Sequence, residues 1–141
     1  MDARTWIVDA ANVIGARPDG WWRDRAAAAL RLHQRLSGFC AGTYVPRTPG
    51  GPEPPDRVVL VLEGTARAGV AAGPDTDTTR LVVIHATGSG DDAVIDQIHR
   101  QPGPVFVITA DRELRGRAQA AGATVVRPGW LWAVLDDTGP V

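Results

Sequence analysis

Short apolar runs alternate with polar, helix-forming segments along this chain of 141 residues, and that alternation limits the possible folds more than any other feature. The runs at 57–62 (RVVLVL), 80–85 (RLVVIH) and 104–109 (PVFVIT) are continuously apolar, which is typical of strands buried on both faces. Shorter runs at 6–9 and 124–126 predict two further strands. The pattern therefore predicts five strands.

Helices are predicted between the strands, where apolar residues recur at a spacing close to 3.6. The predicted helices cover 22–37, ended by Gly38, then 91–100, 111–121 and a short segment at 130–135. The stretch 66–79 predicts a loop with at most one helical turn, and the Pro- and Gly-rich stretch 48–55 predicts another loop. Strands alternating with helices favour a mostly parallel sheet covered on both faces, formed by a single domain over 1–141.

Composition excludes several classes of protein. All 15 basic residues are arginine, so no lysine is available for a Walker-type phosphate loop or a Schiff base. Cys40 is the only cysteine, which excludes an internal disulfide and a cysteine-based zinc site. The formal net charge of −1 argues against nucleic-acid binding through bulk charge alone. Because the sequence has no signal pattern and no apolar run that could span a membrane, we expect a cytoplasmic protein without a membrane partner.

Acidic residues follow four of the predicted strands. They are Asp9 at the end of the first strand, Glu63 after the second, Asp91 and Asp92 after the third, and Asp111 after the fourth. Because sites in parallel sheets lie beyond the carboxyl ends of the strands, we expect all five at one edge. Two like charges 4 Å apart repel by roughly 4 kcal/mol at an effective dielectric of 20, so such a cluster needs protons, arginines or a cation. Oxygen ligands without nearby Cys or His favour Mg²⁺ or Mn²⁺.

Several of these residues also have a purely structural alternative. Aspartate commonly accepts a hydrogen bond from the free N–H groups at the start of a helix, so Asp91 and Asp111 could each cap one. Asn12 could add a carbonyl oxygen to the site or only shape the turn after the first strand. No protein nucleophile is indicated, because Ser89 lies outside a G-x-S-x-G elbow. Hydrolysis of a phosphodiester by metal-activated water is the reaction that the acids favour.

Three short motifs resemble the NYN branch of the PIN-like ribonucleases. They are DAAN at 9–12, GDD at 90–92 and TADRELR at 109–115, in the order and strand context of that family, and the resemblance covers most of the chain. It implies a Rossmann-like three-layer α/β/α sandwich with a mostly parallel central sheet, and endoribonuclease activity on RNA with Mg²⁺ or Mn²⁺. The usual metal-site residues of that family correspond here to Asp9 with Asn12, Asp91 or Asp92, and Asp111. We therefore expect a metal and catalytic site at Asp9, Asp91, Asp92 and Asp111, with Asn12, Glu63, Asp96 and Thr109 as supporting residues.

One position departs from the pattern of that family. Several ribonucleases of this kind carry another acid one helical turn beyond Asp111, where this chain has Arg115. Either the metal site uses fewer ligands, or Asp96 or Glu63 substitutes. The alternatives are therefore a catalytically weak or inactive module that binds RNA or protein, and a small-nucleotide hydrolase with the same metal chemistry.

Arginines near the motifs are candidate contacts for RNA phosphates, because the guanidinium fork suits phosphate. These candidates are Arg17, Arg23, Arg112 and Arg115, and a solvated helix face is the alternative for those in the third motif. Trp21 and Trp22 could stack on unpaired bases or pack in the interior. The apolar segment 130–135 could form a homodimer interface or cover the sheet.

Overall fold

The computed structural model describes residues 3–42 and 52–137, so residues 48–51 of one predicted loop lie outside it. Within these ranges, the strands are β1 Thr5–Asp9, β2 Arg57–Leu62, β3 Gly73–Pro74, β4 Leu81–His85, β5 Val105–Ile108 and β6 Thr124–Val126. The α-helices are α1 Ala10–Gly15, α2 Arg25–Ala41, α3 Gly90–Arg100, α4 Arg112–Ala120 and α5 Pro128–Asp137. Short 3-10 helices occupy Trp21–Arg23 and Gly64–Gly69.

The strands form one sheet with the order β3-β4-β2-β1-β5-β6. All neighbouring strands are parallel except β3, which pairs with β4 in the antiparallel direction. Strand β1 lies between β2 and β5, with Asp9 opposite Val61 and Val8 opposite Ile108. The strand order therefore reverses at β1, and the carboxyl end of β1 is the place where ligands bind in sheets of this kind.

Helices cover both faces of the sheet, which confirms the three-layer arrangement. Successive side chains of a strand point to opposite faces, so Trp6 and Val8 pack with α1, α2 and α5, whereas Ile7 packs with α3 and α4. The side chains of β2 alternate in the same way, with Leu60 packed on the face of α1, α2 and α5 and Val59 on the face of α3 and α4. This double burial explains why the central strands are continuously apolar in sequence.

Helix α2 differs from its prediction at both ends. It begins at Arg25, because the Asp24 carboxylate accepts a hydrogen bond from a backbone N–H of the first turn. The predicted end at Gly38 is wrong, since the helix continues past that residue to Ala41. A glycine inside a helix costs about 1 kcal/mol, and the burial of Phe39 in the core outweighs that cost.

Two short elements were missed by the sequence analysis. Helix α1 follows β1 directly, where a turn was expected, and β3 lies within the stretch 66–79 that was expected to be a loop. The 3-10 helix Gly64–Gly69 reaches into the same stretch and supplies its helical turn. Elements of two to six residues are too short to give a recognisable apolar period, so their positions follow from packing against their neighbours.

The C-terminal helix α5 closes one face of the core. Leu131 and Leu135 are buried, and the Trp130 ring lies edge-on to Trp6 with 5.1 Å between ring centroids. The segment 130–135 thus covers the sheet of its own chain, and the homodimer stays a prediction. Within residues 3–42 and 52–137, none of the helices has the length and apolar character needed to span a membrane.

Replacement of Trp6 by alanine should destabilise the fold strongly. Trp6 is fully buried and stacks on Phe39 with 5.4 Å between ring centroids. Truncating a buried tryptophan costs about 3–5 kcal/mol, which urea denaturation would measure. Trp22→Ala is the matched control, because the Trp22 side chain is 53% exposed, and loss of its edge-on contact with Trp21 should cost no more than about 1.5 kcal/mol. Equal losses in the two variants would contradict the core described above.

Candidate active site

Asp9 lies at the centre of the site, at the carboxyl end of β1. The residue is only 4% exposed, because the sheet and the helices surround it. Its Oδ2 atom accepts hydrogen bonds from Asn12 Nδ2 at 2.7 Å and from Thr109 Oγ1 at 2.8 Å. Asn12 thus contacts the carboxylate from one turn along α1, and these two donors fix its orientation.

The Thr109 hydroxyl joins Asp9 to Asp111. Thr109 directly follows β5 and is 2% exposed. Its Oγ1 atom donates to Asp9 and accepts the backbone N–H of Asp111 at 3.1 Å. Asp111 Oδ1 accepts the N–H of Leu114 at 2.8 Å, so Asp111 also caps α4. The capping role expected as an alternative is therefore present, and it holds the carboxylate beside the end of β5.

Glu63 follows β2 and is held by the first residue of α3. Its Oε2 atom accepts a hydrogen bond from the Gly90 backbone N–H at 2.8 Å. A Cβ atom added at Gly90 would lie 2.9 Å from Glu63 Cδ, so a side chain at that position would displace the carboxylate. This role of Gly90 was not predicted from the sequence. The available signal was a glycine immediately before two acids at the start of a helix.

The adjacent residues Asp91 and Asp92 face different surroundings. Ser89 caps α3 by accepting the N–H of Asp92 at 3.2 Å, so Asp91 does not serve as the cap. The Asp92 side chain is 75% exposed and accepts a hydrogen bond from Arg117 Nη2 at 2.9 Å. Asp91 is half-buried, and the other acids of the site act on its charge.

The electrostatics show which acids lie together. The pKa of Asp91 is raised above its ordinary value, first by burial and then by neighbouring carboxylates, which are those of Asp111, Asp9 and Glu63. The Arg117 guanidinium lowers that pKa. Burial also raises the pKa of Asp9, with a smaller contribution from the charge of Glu63, while the hydrogen bonds from Thr109 and Asn12 oppose the rise. Four carboxylates from four segments of the chain therefore interact at one edge of the sheet.

The donor set suits a hard cation that keeps part of its water shell. In the part of the chain that the structure describes, no three Asp, Glu, His or Cys side chains already converge as metal ligands. Asp9, Glu63 and Asp111 are each held by hydrogen bonds from the protein instead. Mg²⁺ commonly binds through one or two carboxylates and retains several waters, so it does not require a preformed three-ligand cage.

The remaining predicted residues lie around this group of acids. Asp96 forms an ion pair with Arg100 one helical turn away, with 2.8 Å between Oδ2 and Nε. The structure therefore does not place Asp96 with the four acids. Arg17 forms an ion pair with Asp136 and lies over the Trp132 ring at 4.1 Å from its centroid. The other candidate phosphate contacts are exposed to solvent: Arg23, Arg112 and Arg115.

Comparison with known proteins identifies the fold. No protein-family model matches the chain, and no curated protein sequence matches it. Among solved structures, a mutant form of Rae1 (YacP) from Bacillus subtilis is similar, with a TM-score of 0.67 and 19% sequence identity. The similarity covers 98% of this chain and 77% of that one. The fold is PIN-like. The likeness concerns the architecture alone. In this chain, the acids described above lie at the carboxyl edge of the sheet.

Replacement of Asp9 by asparagine should stabilise the metal-free protein at high pH. A raised pKa means that the folded state holds the proton more tightly than the unfolded chain, so wild-type stability falls as pH rises from about 4 through the folded pKa. Asp9→Asn does not lose stability in this way, because its side-chain amide does not ionise. In EDTA, its melting temperature should exceed that of the wild type at pH 8, and the gap should close toward pH 4.

Asp92→Asn is the matched control for that comparison, because it removes one exposed carboxylate from the same edge. It should give no gap that grows with pH in this way. If the difference in melting temperature between Asp9→Asn and the wild type stays constant from pH 4 to pH 8, the raised pKa of Asp9 is contradicted.

Proposed function

We propose that this protein is an endoribonuclease that hydrolyses RNA phosphodiester bonds with water activated by Mg²⁺ or Mn²⁺. One observation carries the proposal: carboxylates from the ends of β1 and β2 and the starts of α3 and α4 interact beside the guanidinium of Arg117. Such a group repels itself unless protons, arginines or a cation offset the charge, and a divalent cation offsets the most. Oxygen donors of this kind favour Mg²⁺ or Mn²⁺ over softer metals.

The residues that would hold the cation, directly or through its bound waters, are Asp9, Asp91 and Asp111. A bound divalent ion supplies two effects to phosphodiester hydrolysis, a lowered pKa of a bound water and polarisation of a phosphoryl oxygen. The chain supplies the orientation, since Thr109 and Asn12 fix the Asp9 carboxylate through their hydrogen bonds. Asp92, which pairs with Arg117, is left out of the proposed centre.

Two further observations support a ribonuclease. The motifs at 9–12, 90–92 and 109–115 resemble those of NYN-type ribonucleases, and they lie at the ends of β1, β4 and β5, where the acids interact. The fold is the PIN-like architecture that the chain shares with Rae1. Fold alone does not imply function, so the proposal depends on the acids that this architecture brings together.

A module that binds RNA or protein without cleaving is the second candidate. It is favoured by Arg115, which stands on the exposed face of α4 where ribonucleases of this kind carry another acid. An arginine at this place brings positive charge to the rim, which helps to bind phosphate. A small-nucleotide hydrolase with the same metal chemistry is the third candidate, and the assay below includes it.

Millimolar Mn²⁺ should raise the melting temperature of the wild-type protein. A ligand that binds only the folded state stabilises it, by about 2.7 kcal/mol when its concentration is 100 times the dissociation constant. The rise should be smaller in Asp9→Asn and Asp111→Asn and unchanged in Asp92→Asn. Calorimetry or dye-based melting would measure it. Equal rises in the wild type and Asp9→Asn would place the ion elsewhere on the protein.

Cleavage of labelled RNA should require both the metal and the proposed ligands. We expect the wild type to cut RNA in Mn²⁺ or Mg²⁺ and not in EDTA. Asp9→Asn, Asp91→Asn and Asp111→Asn should each lower kcat/KM at least about 100-fold, because several kcal/mol of charge stabilisation are lost and 1.4 kcal/mol corresponds to a tenfold change in rate.

Asp92→Asn should cleave at nearly the wild-type rate in the same assay. Activity that persists in Asp9→Asn or Asp111→Asn would refute the proposed site. Binding of RNA without any cleavage would favour the second candidate, and hydrolysis confined to mononucleotide or dinucleotide substrates would favour the third.

A further inference from the structure

A cavity of about 520 Å³ opens beside the group of acids. Its walls come from α1, the 3-10 helix that contains Trp21, the start of α2 and the segment that follows β2. This volume falls within the range of about 300–1,000 Å³ that is typical of small-ligand sites. Ile14 supplies apolar surface, while Thr65 and Arg25 supply polar groups. A mainly apolar wall with a few polar groups suits a flat, partly polar ligand.

Glu63 connects this cavity to the proposed catalytic edge. The residue lines the cavity, and its negative charge raises the pKa of both Asp9 and Asp91. Its carboxylate is held in place by the Gly90 N–H at 2.8 Å. The cavity and the acids therefore share a wall, so one extended ligand can occupy both.

Trp21 and Arg25 form the wall that gives the cavity its chemical character. The Arg25 guanidinium carbon lies 5.1 Å from the centroid of the Trp21 ring. Gly20 begins the 3-10 helix with a φ of 86°, in the left-handed region that favours glycine, and Asp19 Oδ1 accepts the Trp21 backbone N–H at 3.2 Å. The indole also packs against α1, since a Cβ atom built at Gly15 would lie in ordinary contact with the ring at 3.9 Å. The backbone thus holds the aromatic ring at the cavity.

We propose that this cavity is a subsite for one unpaired nucleobase of an RNA strand whose backbone passes the acids around Asp9. The subsite rests on the proposed ribonuclease function and adds to it the residues that hold a base. A base stacks on the face of an aromatic ring whatever its sequence identity, and the planar guanidinium of Arg25, which lies over the Trp21 ring, extends the same stack. The positive charge of Arg25 also offsets part of the repulsion between the acids and the RNA phosphates.

Base stacking predicts how much affinity Trp21 contributes. Loss of one aromatic partner weakens binding of single strands about 5- to 150-fold. We would measure the Kd of a labelled single-stranded RNA by fluorescence anisotropy in EDTA, so that binding is not coupled to cleavage. Trp21→Ala should weaken binding by this factor, and Trp21→Phe should retain most of the affinity. Trp22→Ala should weaken binding much less than Trp21→Ala, because Trp22 is exposed, touches the Trp21 ring edge-on with 5.8 Å between centroids, and is not among the described cavity residues.

RNA strands that lack one base at a known position would show which base occupies the cavity. In the wild type, an abasic residue at one position of the strand should weaken binding about as much as Trp21→Ala does. In Trp21→Ala, the same abasic strand should bind no more weakly than the intact strand. The wild-type arm does not depend on the folding of any variant. Equal Kd values for every abasic position in the wild type would overturn the subsite.

The outcomes separate this subsite from the proposed catalysis. Metal-dependent cleavage by the wild type, with the Kd and KM unchanged in Trp21→Ala, would overturn the subsite and leave the ribonuclease in place. Base-dependent binding through Trp21 without any cleavage would support the subsite and refute the catalytic proposal. Trp21→Ala could also raise the Kd by the same factor for intact strands and for fully abasic strands. That result would show that the substitution changes the surface in general, and it would overturn the subsite.

Discussion

The hydrogen bond from Thr109 Oγ1 to Asp9 Oδ2 joins two buried side chains that lie 100 residues apart in sequence. It forms because β1 and β5 are parallel neighbours with Val8 opposite Ile108, so that the next residue of each strand reaches the same edge. The same hydroxyl accepts the N–H of Asp111 and so fixes the start of α4. A slip of one residue in this register would turn these side chains to the other face of the sheet. The geometry of the acidic edge therefore depends on the pairing of the two central strands.

The acids gathered at the carboxyl edge of the sheet destabilise the fold. Four carboxylates interact there, and burial raises the pKa of Asp9 and Asp91, so their ionised forms are less favourable than they would be in water. Hydrogen bonds from neutral donors and the charge of Arg117 offset only part of this cost. Perturbed acids in a cleft are typical of functional sites. The proposed cation at the edge and the proposed RNA strand across it would give these acids a common role, and the cavity beside Glu63 would extend that role to a base.

The sequence predicted the central elements well, for an identifiable reason. Strand β2 has the predicted bounds, because a continuous apolar run between turn signals can bury itself only inside a covered sheet. Strand β6 also has the predicted bounds, although it lies at the edge of the sheet and is only partly buried. Helix α2 was predicted poorly at its ends, since Asp24 begins it and the burial of Phe39 carries it past Gly38. The acids were found because each follows a strand. The contact between Gly90 and Glu63 was not found, because it joins residues from separate segments.

By itself, the sequence determined the alternation of strands and helices and placed an acid after each of four strands. It did not determine the order of the strands, which depends on long-range packing and sets β1 between β2 and β5. Only the tertiary structure distinguished Asp91, which interacts with the other acids, from Asp92, which turns to Arg117. It also placed Trp21 and Arg25 at a cavity shared with Glu63. The physical reason is that local pattern fixes the type of each element, whereas contacts between distant segments decide which side chains meet.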